Sequence, residues 1–187
     1  MNDTLTQLLN RSSMPRLAEP APDTEQLNRI LRAGLLAPDH AYLRPTRLTV
    51  VAGAARERLG ELFVQAAEAS GTPLAEDKRQ KMRQNPLRAP TIIVAACCPQ
   101  VHDKVPEIEQ IASTAAAVSL MQTAIDAMGY GSMWRTGDMA YHPLVKEAFG
   151  LTENDHLLAF LYVGTPLGNA KNRDAFAWQD CVKPFAE

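Results

Sequence analysis

A long stretch of helix-forming residues, Glu107 to Gly129, constrains the fold more than any other part of the sequence. It has no proline and no glycine before Gly129, and alanine, the best helix former, is its commonest residue. At about 1.5 Å per residue it predicts a helix roughly 33 Å long, close to the width of a small domain. Acidic residues suit the first turn of this helix, and Gly129 suits a left-handed cap at its end.

This predicted helix is apolar around most of its circumference. One stripe at helical spacing is interrupted only by Gln122, and a second row holds only small side chains, which allow another backbone to approach closely. We therefore expect a partner subunit on one face; the alternative is a core helix of a monomer. The stripe is Ile108, Ile111, Ala115, Val118, Gln122 and Ile125, and the small row is Ala112, Ala115, Ala116, Ser119, Thr123 and Ala127.

Composition limits the class of protein. The 187 residues suffice for one compact domain, and 46% of them are hydrophobic. A net charge of −2 gives no reason to expect nucleic acid or an anionic membrane as a partner. We expect no membrane span and no signal peptide. Three cysteines, two of them adjacent, do not make a disulfide framework, so we expect a reducing cytoplasm.

Hydrophobic periodicity predicts an α+β fold with a mostly antiparallel or mixed sheet, because helices and strands do not alternate regularly. The apolar run at Thr91 reads as a central strand buried on both faces. The irregular tail from Gly164 to Glu187 is long enough to reach over a partner. Predicted helices are Leu5–Leu9, Asp23–Leu36, Arg56–Ser70, Glu76–Gln84 and His142–Gly150; predicted strands are Leu48–Ala52, Thr91–Cys98, Tyr130–Trp134 and Leu157–Val163.

Several chemistries lack their motifs. There is no dinucleotide fingerprint, no phosphate-binding loop and no nucleophile elbow. The histidines have no close partner at metal-ligand spacing, so no metal site is predicted. This pattern disfavours hydrolysis by side chains and is compatible with a bound cofactor that brings its own reactivity. The histidines are His40, His102, His142 and His156.

Three stretches resemble the nitroreductase family of flavoproteins, specifically its short YdjA-like branch. They are Asn10–Ser13 with Arg16–Pro22, then Leu31–His40, and then Gly129–Gly137 with Ala148–Gly150 and Phe160–Pro166 behind it. The ordered likeness runs from about Leu5 to Pro166. It implies a nitroreductase-like α/β sandwich, with a central mixed or antiparallel sheet flanked by helices and the long helix at a dimer interface.

The resemblance also implies an activity. The family forms homodimers that hold FMN in clefts between the subunits, take electrons from NADH or NADPH, and reduce nitroaromatics, quinones or similar small-molecule acceptors in a two-step, ping-pong exchange. The flavin N5 carries the chemistry, so no catalytic side chain is expected. Two alternatives remain: a dimer that binds flavin or a related ligand without turnover, and a structural or regulatory dimer without a cofactor.

The first FMN-contacting turn of the family is matched by Arg11 and Ser13. Ser12 stands where the family usually has a second arginine, so that charge is absent, but its backbone remains a candidate contact to FMN. An arginine fork suits the FMN phosphate; the alternative for Arg11 is a cation at a helix C-terminus. His40 matches a flavin-neighbouring position; alternatively, Asp39 and His40 cap local backbone.

The second FMN segment of the family is matched by Trp134, Arg135 and Thr136. The glycines just before it, Gly129 and Gly131, allow backbone to approach a flat ring closely. Main-chain donors near N5 and a cation near the pyrimidine edge would tune the flavin potential. The alternative is a core tryptophan beside a surface arginine.

Two positions depart from the family pattern. Leu36 replaces an arginine that is common in the close relatives, and Arg44-Pro45-Thr46 replaces the family's Gln-Pro-Trp. Both changes bear on the substrate side of the expected pocket and on flavin affinity.

Two further sets of residues are carried over from the resemblance. Lys171 and Arg173 are the tail's candidates for a phosphate contact from the other chain, or belong to a solvated polar tail. A nicotinamide site matches a stretch that also reads as ordinary helix. That stretch is Ala124, Ile125, Asp126, Ala127, Met128 and Gly129.

Overall fold

The structure, a computed structural model, describes residues 3–71, 73–168 and 177–185; Lys171 and Arg173 lie outside the described residues. The helices are α1 (Asp3–Asn10), α2 (Thr24–Leu35), α3 (Ala55–Ala69), α4 (Glu76–Gln84), α5 (Glu107–Ala127) and α6 (Pro143–Ala148). The strands are β1 (Leu17–Ala18), β2 (Thr46–Ala52), β3 (Thr91–Cys97), β4 (Gly131–Arg135) and β5 (His156–Pro166). Short 3-10 turns occupy His40–Tyr42, Asn85–Arg88, Asp138–Ala140 and Trp178–Cys181.

The strands form a 5-stranded sheet in the order β1-β5-β3-β2, with β4 also pairing with β5. Every strand pair in the described part of the chain is antiparallel. The predicted α+β fold is therefore confirmed, and of the two expected sheet types the antiparallel one is present. Strand β3 is buried at every residue, as its continuous apolar run predicts.

Strand β5 is longer than its sequence pattern predicts. It begins at His156 and continues to Pro166, so the tail starts after Pro166 and not at Gly164. The extension exists because β1 pairs with Thr165 and Pro166. A two-residue strand such as β1 has no alternation to reveal it, and the sequence did not predict it.

Helix α5 lies beside α2 and covers one face of the sheet. Val118, Met121 and Ile125 are fully buried in a core cluster with residues of β3 and β5. Ile108, expected in the buried stripe, is instead 67% exposed. One side of the helix is thus open within a single chain, and its exposed residues include Ala112, Ser119, Leu120 and Ala127. No helix in the described ranges is long and apolar enough to cross a membrane.

The opposite face of the sheet carries α3, α4 and α6. Phe63 of α3 packs edge-on against Phe160 of β5, with ring centroids 5.3 Å apart. Leu59, Phe63, Phe160 and Tyr162 belong to the core cluster on this side. The sheet therefore separates two apolar layers, one under α5 and one under α3.

Helix α4 has no fully buried residue, but its half-buried Met82 packs against the core cluster that includes Phe63 of α3. Ion pairs and a close backbone contact also join α4 to α3. Arg79 pairs with Glu68, and Arg83 pairs with Glu61, each at 2.8 Å. Exposed pairs of this kind contribute little stability. A Cβ at Gly60 of α3 would lie 2.5 Å from the Arg83 carbonyl oxygen, so the absence of a side chain there permits the contact.

The substitution Gly60→Ala should destabilise the protein by about 1–3 kcal/mol, because overpacking against a backbone carbonyl is not relieved by rotating a side chain. Urea unfolding measures the effect. Gln65→Ala, on the exposed side of α3, is the control and should change stability by less than about 0.5 kcal/mol. Unchanged or increased stability of the Gly60 variant would contradict the close packing of α4.

Candidate functional site

The loop after α1 lies against the start of β4. The Met14 amide donates a hydrogen bond to the Ser132 carbonyl at 2.9 Å. A Cβ at Gly131 would lie 2.9 Å from Leu17 Cδ2 and 3.1 Å from the Met14 Cβ, so a side chain there would force both neighbours to shift. The structure therefore attaches Arg11–Ser13 to the strand that leads into Trp134–Thr136.

The residues of this loop, Arg11–Ser13, here called the arm, have different surroundings. Ser12 is buried, and its hydroxyl donates to the Met14 sulfur at 3.8 Å, whereas Ser13 is exposed. Burial raises the pKa of Asp126 at the end of α5, and the neighbouring Arg11 guanidinium partly opposes this shift. Arg11 thus lies near the last turn of α5, and Ser13 presents the arm's exposed hydroxyl.

A buried amide ties the same strand to the long helix. Gln122, the polar residue that interrupts the apolar stripe of α5, donates to the Ser132 hydroxyl at 3.3 Å. Because Met14 bonds the backbone of Ser132, the arm, the edge strand and the helix meet at one residue. This contact explains a polar residue in an otherwise apolar stripe.

A cavity of about 440 Å³ opens beside β4, on the face of the sheet that carries α3 and α4. Trp134, Arg135 and Thr136, the second predicted FMN segment, all line it. The wall across from them comes from the end of α4 and the turn that follows, and apolar rings line the sheet side. These further lining residues include Met82, Asn85, Arg88, Phe63, Phe160 and Tyr162.

Two buried polar atoms in this lining have no hydrogen-bond partner among the described residues: Arg135 Nε and Asn85 Oδ1. An unpaired buried group costs about 1–3 kcal/mol, so such groups are rare without a reason. One atom is a donor and the other an acceptor. Both residues line the same cavity, so a ligand that offers both an acceptor and a donor could satisfy them.

The cavity also carries positive charge. In the part of the chain that the structure describes, neither Arg88 nor Arg135 forms a salt bridge, although Asp138 lines the same cavity. The Arg135 guanidinium lies 5.6 Å from the centroid of the Tyr162 ring. Burial raises the pKa of Tyr162, and Arg135 and Arg88 partly oppose the shift, which places both cations near the phenol. The cavity therefore suits a ligand that is or becomes anionic.

Trp134 lines this cavity at β4, but its side chain lies on the other face of the sheet, under α5. Its indole N–H donates to the Leu158 carbonyl at 2.8 Å, and its ring packs partly buried against the core under α5. The alternative was a core tryptophan beside a surface arginine. Trp134 does pack against the core, but Arg135 is not a surface arginine, because it faces a cavity and its Nε is buried.

His40 is not in this cavity. Its Nδ1 lies 2.7 Å from Glu109 Oε2, beside the start of α5, and Asp39 accepts a hydrogen bond from the Arg44 amide. The segment continues into β2, which β3 and β5 separate from β4. Within one chain the predicted FMN residues therefore form two groups at opposite edges of the sheet. Arg11–Ser13 and Trp134–Thr136 lie beside β4, and His40 lies near the β2 edge.

The positions that depart from the family pattern belong to the His40 group. Leu36 is 79% exposed, and the Thr46 hydroxyl lies 3.0 Å from that of Thr114 on α5. Ala41, Tyr42 and Arg44 have φ values of 59°, 54° and 53°, a region that residues other than glycine rarely adopt. Such strain clusters at functional sites.

The expected nicotinamide stretch forms the last turn and cap of α5. Ile125 is fully buried in the core, whereas Ala127 and Gly129 are exposed. Gly129 has a φ of 80° and ends the helix, as expected. Only part of the stretch is therefore open to a ligand.

Sequence reasoning missed Asn85, Arg88 and Tyr162, which meet Trp134–Thr136 only through the tertiary fold. Two weak signals were available. Asn85-Pro86 separates a charged helix from an apolar strand, and Tyr162 is a polar-tipped ring inside the apolar run of β5. Neither signal specifies a cavity.

Comparison with known proteins now identifies the family. The profile of the nitroreductase family matches residues 10–165, and the chain belongs to this family. It is 48% identical over 166 residues, 88% of each chain, to YdjA of Escherichia coli K12, whose name proposes NAD(P)H nitroreductase activity for it. A Haemophilus influenzae protein, also named as a proposed NAD(P)H nitroreductase, is 36% identical over 171 residues, covering 90% of this chain and 91% of its own.

Solved structures share the fold. A nitroreductase-like family protein from Bacillus cereus has a TM-score of 0.84 at 19% identity, covering 100% of this chain and 98% of its own. A nitroreductase with bound FMN from Bacteroides fragilis has a TM-score of 0.72 at 20% identity, covering 95% and 96%. The expected nitroreductase-like fold is therefore confirmed.

Proposed function

We propose that this protein is an FMN-dependent NAD(P)H oxidoreductase that reduces nitroaromatic, quinone or similar acceptors by a ping-pong mechanism. Membership of the nitroreductase family and the names of the E. coli and H. influenzae relatives support this activity. FMN in the B. fragilis structure, and in a Desulfovibrio desulfuricans structure of the same fold, supports the cofactor. The strongest support comes from two buried atoms at one cavity, Arg135 Nε and Asn85 Oδ1, which have no hydrogen-bond partner among the described residues.

The lining of the cavity fits a flavin. The pyrimidine edge of the isoalloxazine presents carbonyl acceptors on either side of an N–H donor. Arg135 Nε can donate to a carbonyl, and Asn85 Oδ1 can accept from the N–H. Met82, Met133 and Phe160 offer apolar surface to a flat ring, and a volume of about 440 Å³ is typical of a small-molecule site.

The chain's own residues bind and orient the cofactor. FMN, when bound, would supply the redox chemistry that links NADH or NADPH to the acceptor. Arg11 and Ser13 would bind the phosphate through charge-assisted hydrogen bonds. Arg88 and Arg135 would stabilise negative charge on the ring. Trp134, whose indole is packed under α5 and donates to the Leu158 carbonyl, would hold β4 in place behind the cavity.

We propose that the protein is a homodimer joined along α5. From Gln110 to Ile125 this helix carries no charged residue, yet one of its sides is open to solvent in the single chain. An uncharged open helix face of this length is typical of an interface. A two-subunit site would also bring His40 of one copy towards the cavity of the other, whereas a single chain keeps them apart.

The described part of the tail agrees with a partner contact. Trp178 and Phe185 are 57% and 102% exposed, so these large apolar side chains are not covered by their own chain. We propose that the tail reaches over the second subunit. Free cysteines, including exposed Cys181, support a cytoplasmic location, where thiols stay reduced.

The function is tested by incubating the purified protein with FMN and adding NADH or NADPH without oxygen. The flavin absorbance should bleach and then return when a nitroaromatic or quinone is added. Asn85→Leu should raise the FMN dissociation constant about tenfold, because a buried hydrogen-bond partner is lost.

Asn154→Leu, an exposed change outside this cavity, is the matched control and should leave FMN affinity unaltered. Protein that does not bind FMN would overturn the proposal. Bound FMN that neither nicotinamide bleaches would instead indicate a flavin-binding protein without turnover.

The dimer is tested with Ser119→Arg, which places a charge on the open side of α5. An uncompensated buried charge costs about 3–5 kcal/mol, enough to raise the dimer dissociation constant at least about a hundredfold. Sedimentation velocity should therefore show a monomer with weakened FMN binding. Gln65→Arg, an exposed change on α3, should remain dimeric. A dimeric Ser119 variant would show that the subunits meet elsewhere.

A further inference from the structure

Arg135 is held in the cavity by an aromatic face. It ends β4 opposite Phe160, while Tyr162 lies opposite Met133, so Arg135 and Tyr162 are diagonal neighbours on one face of the sheet. The Arg135 Cζ is 5.6 Å from the Tyr162 ring centroid, within the range of a cation–π interaction. Tyr162 is 4% exposed, so the ring itself is fixed by the surrounding core.

The way Arg135 is held differs from that of other arginines nearby. Arg79 and Arg83 on α4 are each paired with glutamates, which offset their charge. In the described ranges no carboxylate lies within salt-bridge distance of Arg135. A neutral ring positions a guanidinium without cancelling its charge. Burial raises the pKa of Tyr162, although Arg135 and Arg88 oppose the shift, and the phenol therefore stays neutral at physiological pH.

We infer that Tyr162 is a positioning residue that aims the uncancelled charge of Arg135 at the flavin and thereby makes the site prefer reduced over oxidised FMN. This inference rests on the proposed function. Reduced FMN carries an additional negative charge on its ring, whereas the oxidised ring is neutral. A fixed cation without a counter-ion therefore binds the reduced form more tightly.

A merely structural role for Tyr162 predicts a different result. If the ring only fills the core, its loss weakens the binding of both redox forms to the same extent, and their ratio is unchanged. If the ring acts through Arg135, its loss weakens the binding of reduced FMN more. The ratio of the two dissociation constants is thus the quantity that separates these roles.

The experiment measures dissociation constants for oxidised FMN and, without oxygen, for FMN reduced by dithionite. Tyr162→Leu should lower the preference for reduced FMN about tenfold, the size expected for a desolvated cation–π contact. Tyr162→Phe keeps the ring face and should hold the ratio within about twofold of wild type. Tyr141→Leu, at a 75% exposed tyrosine outside the cavity, should leave the ratio unaltered.

A double substitution tests whether Tyr162 acts through Arg135. Tyr162→Leu combined with Arg135→Gln should lower the ratio no further than Arg135→Gln alone. Circular dichroism checks folding, and Tyr162→Met, which also lacks the ring but suits an irregular core, replaces the leucine variant if that one does not fold.

An unchanged ratio in the ringless variant, or an equal loss in the phenylalanine variant, would overturn this inference while leaving the proposed function intact. Failure of the wild-type protein to bind FMN would count against the proposed function itself. The two failures are therefore distinguishable.

Discussion

The antiparallel pairing of β5 with three other strands is the constraint on which the rest of the structure depends. It places β3 on one side and β4 and β1 on the other. The register with β4 sets Arg135 diagonally from Tyr162, and the pairing with β1 fixes the chain just after the Arg11 arm. A slip of one residue would turn these side chains to the other face of the sheet. The geometry of the cavity therefore follows from strand register more than from any single contact.

The helix α5 and the buried strand β3 could be predicted from sequence because each has a strong local signal. Trp134–Thr136 could be placed only through resemblance to a family. Strand β1, and the Asn85 and Tyr162 lining of the cavity, could not be predicted. They depend on which segments meet in space, and neither periodicity nor turn chemistry encodes that. The open side of α5 was expected as a partner face, but the outward position of Ile108 was not.

The predicted FMN residues are divided between the two edges of the sheet. The β4 edge carries the cavity, the arm, and Arg88 and Arg135, which form no salt bridge among the described residues; all of these lie in one chain. The opposite edge carries His40 and the strained segment that follows it. The loop just before His40 is held on α5, where the Ser113 hydroxyl donates to the Pro38 carbonyl at 2.7 Å. A rigid, strained segment next to an uncovered helix is well suited to complete a site in a second copy of the chain.

We propose that the cavity beside β4 receives the flavin ring and that a second subunit closes it. A crystal structure of the protein grown with FMN tests both statements at once. We expect a dimer joined along α5, with the pyrimidine edge of the ring hydrogen-bonded to Asn85 and Arg135 and the phosphate near Arg11. A structure in which FMN lies elsewhere, with Asn85 Oδ1 and Arg135 Nε still unpaired, would contradict it.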